Sequence, residues 1–345
     1  MGLETSFFGR AMSSKFVEKL NSVEWLLTDG ATGTNLFDMG LMSGDSPELW
    51  NEEFPEKIIK LHKNAVDAGS DLFLTNSFGS NALRLKLHNS GDKAFELSKL
   101  SAEIARGVAD CYDRPVFVAG SVGPTGEIMH PIGELTHKTA VEVFHEQAQG
   151  LKAGGADLLW LETISAPEEF QAAAEAFSYI DLPWVGTMSF DTAGRTMMGT
   201  SPTALVELIS SIPNKPVAFG ANCGVGASDL IRTIQEFSKS SPNEILIAKG
   251  NAGIPKYVDG HIHYDGTPDL MARYAVMARN SGAKIIGGCC GTKSEHLRLM
   301  RAALESEDLG SIPLLEQVQL EIGPFSSPYV NEAKKRISKR RRRRE

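Results

Sequence analysis

The stretch Ala156-Asp157-Leu158-Leu159-Trp160-Leu161-Glu162 decides how this sequence is read. Its apolar core is short and unbroken. A strand with one wet face would alternate, so an unbroken run marks a strand buried on both faces. A helix signal follows at once, because Ser165-Ala166-Pro167-Glu168 fits a capping box. The carboxylate of Glu162 closes the run, at the end of the strand where chemistry is commonly sited.

Seven other runs have the same form. Upstream stand Trp25-Leu26-Leu27-Thr28-Asp29, Asp71-Leu72-Phe73-Leu74-Thr75 and Pro115-Val116-Phe117-Val118-Ala119-Gly120. Downstream stand Trp184-Val185-Gly186-Thr187-Met188, Val217-Ala218-Phe219-Gly220-Ala221, Ile245-Leu246-Ile247-Ala248 and Lys284-Ile285-Ile286-Gly287. Helical stretches are predicted over 55–68, 93–111, 139–153, 202–210, 229–238 and 269–281, and a further helix from the capping pattern Thr292-Lys293-Ser294-Glu295. Eight strand–helix units in this length predict a (β/α)8 TIM barrel, with an open doubly wound sheet as the alternative. Residues 1–22 read as a leader whose opening, 1–10, is expected to be disordered, 23–310 as the barrel, and 311–345 as an extended C-terminal segment ending in a disordered Arg-rich tail.

The chain has 345 residues, 42% hydrophobic and 23% charged, which suits a full core. No apolar stretch reaches the roughly 18 residues a membrane span needs, and the N-terminus does not read as a secretory signal, so a cytoplasmic protein is expected. Residues 334–345 hold nine basic residues and one acid, a net +8; with −8 for the whole chain, the rest carries −16. An acidic body argues against a specific nucleic-acid binder, although the tail alone could touch polyanions. Four cysteines in a chain this long are no disulfide framework.

In such a barrel the functional residues lie just past the strand C-termini. The polar residues there are Asp29, Thr75, Asn76, Ser121, Glu162, Ser189, Asn222, Cys223, Asn251, Cys289 and Cys290. Cys223 follows the sixth run in Gly220-Ala221-Asn222-Cys223-Gly224, and the vicinal pair follows the eighth in Gly287-Gly288-Cys289-Cys290-Gly291-Thr292. Neighbouring sectors of one rim would bring three thiolates together, the soft ligand set of a Zn2+ with one position open. Buried structural thiols, a vicinal disulfide or a dithiol redox protein are the alternatives. Three thiolates outweigh the charge of the metal, so such a site is poor at activating water and suited to holding a fourth thiol as a nucleophilic thiolate. Alkyl transfer to sulfur follows naturally. His261 and His263 read as lid or surface-loop residues.

At these residues the chain resembles the homocysteine S-methyltransferases. The matching stretches are Asp29-Gly30-Ala31-Thr32-Gly33-Thr34, Leu74-Thr75-Asn76-Ser77-Phe78, Gly120-Ser121-Val122-Gly123-Pro124 and the two cysteine motifs. The resemblance implies zinc on Cys223, Cys289 and Cys290, and homocysteine and a small methyl donor as substrates. It also implies that Asp29-Gly30, Thr75, Ser121 and Glu162 receive the amino-acid end, with Asn222 orienting the metal loop. A zwitterion needs just such carboxylates and donors. The stretches Glu48-Leu49-Trp50-Asn51, Asn76-Ser77-Phe78-Gly79 and Phe190-Asp191-Thr192-Ala193-Gly194 are similar to bacterial betaine–homocysteine methyltransferases. Betaine is therefore the expected donor, although Gly79 and Thr163 stand where the animal betaine enzymes carry tyrosines. A sulfonium such as S-methylmethionine or dimethylsulfoniopropionate, or a methyl-corrinoid, is the alternative. An aromatic cage for a quaternary ammonium would draw on Trp50, Phe78, Phe190 or Tyr264.

Overall fold

The computed structural model describes residues 14–258 and 261–327, except the side chains at 257, 258, 261 and 262. Each predicted run is a strand: β1 (Leu26–Leu27), β2 (Leu72–Leu74), β3 (Phe117–Val122), β4 (Leu158–Ile164), β5 (Trp184–Met188), β6 (Ala218–Cys223), β7 (Leu246–Gly250) and β8 (Ala283–Gly288). The sheet order is β1-β8-β7-β6-β5-β4-β3-β2, and every ladder is parallel. Neighbours in sequence are neighbours in space all the way round, whereas a doubly wound sheet would reverse its order at a switch point. The seam between β1 and β2 is joined by Asp71 N–H to the Leu27 carbonyl at 2.7 Å and by Leu74 N–H to the Asp29 carboxylate at 2.9 Å. The eight strands thus form a nearly closed TIM barrel.

The parity of β4 explains its unbroken apolar run. Leu158 and Trp160 join the interior cluster with Leu26, Leu72, Leu74, Phe117, Ala119, Val185, Ala218, Ile247 and Ile285. Leu159 and Leu161 belong to the outer cluster between sheet and helices. Both faces are buried, so both must be apolar.

The outer ring is α2 (Pro55–Asp67), α3 (Ala94–Ala109), α4 (His137–Ala153), α5 (Pro167–Ser178), α6 (Pro202–Ser211), α7 (Ala227–Ser240), α8 (Pro268–Asn280) and α9 (Ser294–Ser306). Neither expected capping box forms as read. Ala166 occupies the N-cap of α5 without a side-chain bond, and Pro167 opens the helix because its ring suits the first turn. At α9 it is His296 Nδ1, not Glu295, that accepts the Lys293 N–H at 3.0 Å.

Both ends carry helices that the sequence reading does not name. Part of the leader is the helix α1 (Lys15–Ser22), capped by Ser14. Its Phe16 and Leu20 are 1% exposed and belong to the interior cluster, so α1 plugs the floor of the barrel. Burying such side chains is worth about 1.5–3 kcal/mol each. The C-terminal segment is also not simply extended: α10 (Leu315–Ile322) buries Val318 and Ile322 in the outer cluster, and packs on α7 and α8. Gln235 on α7 holds the Pro313 carbonyl at 2.8 Å, and Ser228 that of Gly323 at 2.7 Å. The Arg-rich tail and the first residues of the leader lie outside the described residues. His261 and His263 form the second strand of a small hairpin after β7, paired with Lys256–Val258, and His263 is exposed.

Candidate active site

Side chains alternate along a strand, so the inner row of each strand can be extended past its apolar residues. From Ala119, Trp160, Val185, Ala218, Ile247 and Ile285 the rows run on to Ser121, Glu162, Thr187, Asn222, Lys249 and Cys289. Ser121, Glu162, Thr187, Asn222 and Lys249 are all buried. The apolar floor therefore gives way at one level to a ring of polar groups facing a common axis.

Cys223 ends β6 with φ 59, and Gly224 continues the left-handed turn at φ 73. This turn swings the thiol toward the loop after β8. There Gly291, at φ 78, lies against the side chain of Tyr264, which a Cβ would meet at 2.4 Å. The two loops are tied together. Asn251 Nδ2 donates to the Gly224 carbonyl at 3.0 Å, while Asn251 Oδ1 accepts the Cys290 N–H at 3.1 Å. The Cys289 N–H reaches the Gly250 carbonyl, and the Cys290 carbonyl accepts the Ala252 N–H at 2.9 Å.

The sulfurs of Cys223, Cys289 and Cys290 consequently lie within 4.8 Å of one another, and those of Cys223 and Cys290 are 3.8 Å apart. Sulfurs bound tetrahedrally at about 2.3 Å stand about 3.8 Å from each other, so the cluster could hold a metal ion. Three thiols at this spacing cannot all ionise on their own. Hydrogen bonds from Cys223 and Cys289 push Cys290 down, and bonds to Cys289 and Cys290 push Cys223 up. A divalent cation among the sulfurs would relieve that conflict, since thiolate is the ligating form.

Asn222 links this cluster to β4. Its Oδ1 accepts the Thr163 N–H at 2.8 Å; its Nδ2 donates to Thr163 Oγ1 at 2.7 Å and approaches the Cys289 sulfur at 3.9 Å. Thr163 sits at φ 61, which turns the chain just past Glu162. Ser121 Oγ donates to Glu162 Oε1 at 2.5 Å. Thr75 Oγ1 accepts the Ser121 N–H at 2.9 Å and bonds to Ser77 Oγ at 2.6 Å. Burial raises Glu162 to about 7, against the opposing pull of Lys249 and the Ser121 hydrogen bond. Thr75, Ser121, Glu162, Asn222 and the three cysteines thus belong to one connected assembly.

Asp29 has another duty there. Its Oδ1 pairs with Lys249 Nζ at 2.7 Å and its Oδ2 accepts the Leu74 N–H, so both oxygens are engaged. Gly30 allows the turn to pass the Thr292 carbonyl, which a Cβ would meet at 2.5 Å. The stretches 46–51 and 76–79 meet: Glu48 Oε1 accepts the Gly79 N–H at 2.6 Å, and Asn51 Nδ2 donates to the Asn76 carbonyl at 2.9 Å.

The expected cage residues do not form one group. Trp50 is 4% exposed, packed on Phe54 and Ile58, with Lys57 Nζ 4.2 Å from its ring centre. Its face therefore already holds a cation. Phe190 is buried against Phe237. Phe78 is half-buried beside Gly123 and Arg84. Of the four, Tyr264 stands at the cysteines, interacting with Cys290. Lys249 escaped the sequence reading altogether, and Asn251 was seen only as a rim residue. Strand parity counted from Ile247 would have found Lys249.

The profile of the homocysteine S-methyltransferase family matches residues 26–304. Methionine synthase of Mycobacterium leprae is 29% identical over 304 residues, 84% of this chain; the chain spans 25% of the length of that relative. Crystal structures of the homocysteine methyltransferase MmuM from Escherichia coli share the fold. The metallated form is 24% identical with a TM-score of 0.69, covering 83% of this chain and 98% of that one. The oxidised form is 24% identical with a TM-score of 0.68, covering 82% and 97%. With the profile matching nearly the whole barrel and both cysteine loops, the chain belongs to the homocysteine S-methyltransferase family.

Proposed function

We propose that this chain transfers a methyl group from betaine to the sulfur of homocysteine at a zinc ion held by Cys223, Cys289 and Cys290. The observation that carries the reading is the meeting of three sulfurs from two distant loops beside the buried carboxylate of Glu162. Bound there, zinc would supply the Lewis acidity that keeps a guest thiol deprotonated at neutral pH.

The residues of the chain do the rest. Glu162, held by Ser121, accepts the ammonium of homocysteine. Thr75 and the backbone N–H groups of the turn after β3 lie on the side that receives its carboxylate. Asn222 and Asn251 fix the cysteine loops, so the acceptor sulfur arrives at a set position. The thiol gives up its proton to solvent on binding. A lone pair of that sulfur then forms the new S–C bond as the C–N bond of betaine breaks, and the nitrogen keeps its electron pair. The products are methionine and dimethylglycine.

Betaine is supported by the similarity of stretches 48–51, 76–79 and 190–194, the first two of which are bonded to each other. A sulfonium donor or a methyl-corrinoid is the second reading; Trp50 being already paired with Lys57 weighs against both cationic donors, betaine and sulfonium, and so favours the corrinoid. No described helix is long and apolar enough to cross a membrane. A site of free thiolates suits a reducing compartment, which supports a cytoplasmic enzyme.

Methionine formation from homocysteine should be followed with betaine, S-methylmethionine, dimethylsulfoniopropionate, S-adenosylmethionine and methylcobalamin. Methionine from betaine is expected. Methionine from another donor replaces betaine and leaves the acceptor reading intact. No methionine from any donor, together with thiol–disulfide cycling of metal-free protein, favours a dithiol redox protein instead.

A further inference from the structure

Gln147 is a polar residue on an apolar helix face. It lies on α4, where Phe144, Ala148 and Leu151 pack into the outer cluster, and it is buried as fully as they are. Its Nε2 donates to the Ser77 carbonyl at 2.7 Å and to the Ser121 carbonyl at 3.2 Å. Carbonyl oxygens only accept, so the NH2 of the amide must be the side that faces them. The Gln147 Oε1 is buried with no partner among the described residues. An unpaired buried acceptor is costly, and a methionine would fill similar space without it. What the amide adds in this position is its two donated bonds.

Those bonds fall where the sheet has stopped. The ladder between β2 and β3 runs from Leu72–Phe117 to Leu74–Ala119, and the Thr75 N–H still reaches the Ala119 carbonyl. Past that point side chains join the two strand ends. The Ser121 N–H goes to Thr75 Oγ1 at 2.9 Å, and Ser77 Oγ donates to the Ser121 carbonyl at 2.8 Å. A hydroxyl has one proton, so across their 2.6 Å contact Thr75 must donate and Ser77 accept. Ser121 is thereby held at both its N–H and its carbonyl, while its hydroxyl reaches Glu162 Oε1. The next turn is fixed as well, by the Gly123 N–H on the Phe78 carbonyl at 2.9 Å. Gln147 is the part of this web that comes from a helix, outside the barrel wall.

We propose that Gln147 is a positioning residue for the amino-acid end of homocysteine: its amide clamps the ends of β2 and β3 together, which sets Ser121 and the turn after β3 at a fixed place beside Glu162. This rests on the acceptor reading given above. Gln147 touches no substrate. It acts through the Ser77 and Ser121 carbonyls, on the side of the site that receives the amino-acid group and not on the cysteine loops.

The test compares homocysteine with propane-1-thiol, which offers a thiol without the amino-acid end. Binding of each to the zinc-loaded protein is measured by calorimetry, together with KM for homocysteine and kcat. Gln147→Met keeps the bulk and removes both bonds. Homocysteine should bind about tenfold more weakly, with KM raised to match and kcat little changed, while propane-1-thiol binds as before. Ser77→Ala removes another bond of the same web and should show the same selective loss, which keeps the test open if Gln147→Met does not fold. Equal weakening of both thiols, or no weakening of homocysteine, in Gln147→Met or in the variant that stands in for it, would overturn the assignment and leave Gln147 a packing residue. Wild-type protein that binds no homocysteine would instead remove the acceptor reading, and this assignment with it.

Discussion

Asn251 fixes Cys290 from the side. Its Oδ1 takes the Cys290 N–H at 3.1 Å while its Nδ2 holds the Gly224 carbonyl at 3.0 Å, so one amide spans the two cysteine loops. Asn251→Ala removes both bonds and frees the loops to separate. Groups that orient metal ligands typically govern affinity by about 10–100-fold. Chelator competition should show zinc held more weakly by such a factor, and urea unfolding should show a loss of about 1–3 kcal/mol.

Glu162, raised to about 7 by burial, accepts an ammonium only when ionised. As pH falls below that value the carboxylate takes a proton and homocysteine binding weakens, toward about tenfold per pH unit once protonation is extensive. The profile of kcat/KM for homocysteine should therefore rise through neutral pH. Glu162→Gln should be poor throughout and lack that limb. An unchanged limb in the variant would assign it to another group.

His62 is fully buried against Phe73, its Nε2 has no partner, and burial lowers it to about 3. The folded protein thus keeps this ring neutral while the unfolded chain protonates it below the ordinary 6.5. Its contribution is complete above the unfolded value and is lost as pH falls toward the folded one, by up to about 1.4 kcal/mol per pH unit. His62→Phe should reduce the acid sensitivity of the urea midpoint between those limits. Equal slopes for both proteins would count against the buried neutral ring.

Phe16 on α1 plugs the barrel at the end opposite the cysteines. Phe16→Ala should cost about 3–5 kcal/mol in unfolding free energy. Zinc content of the folded fraction should not change, because Phe16 packs in the apolar interior cluster that contains none of the cysteines.

The barrel was legible because doubly buried strands leave no polar interruption, as the run Leu158 to Leu161 shows. The cysteine cluster was legible because Cys223 and the vicinal pair each follow such a run. Function at charged positions was harder to read. Asp29 reads as a ligand-binding carboxylate, and its ion pair with Lys249, distant in sequence, is not legible from the chain. Lys249 itself follows an apolar run, where a lysine reads as the solvated end of a strand. Trp50 suggested a cation cage and has its cation in Lys57, one helical segment away. The helix Leu315–Ile322 escaped notice because two anchors, Val318 and Ile322, carry no periodic pattern long enough to detect.

The central claim is a metal bound by three cysteine sulfurs with a place for a fourth. Zinc K-edge X-ray absorption on reduced, zinc-loaded protein tests it most directly. The account predicts three sulfurs in the coordination shell, rising to four when homocysteine is added. Protein that retains no zinc, or a sulfur count that homocysteine leaves unchanged, would contradict it.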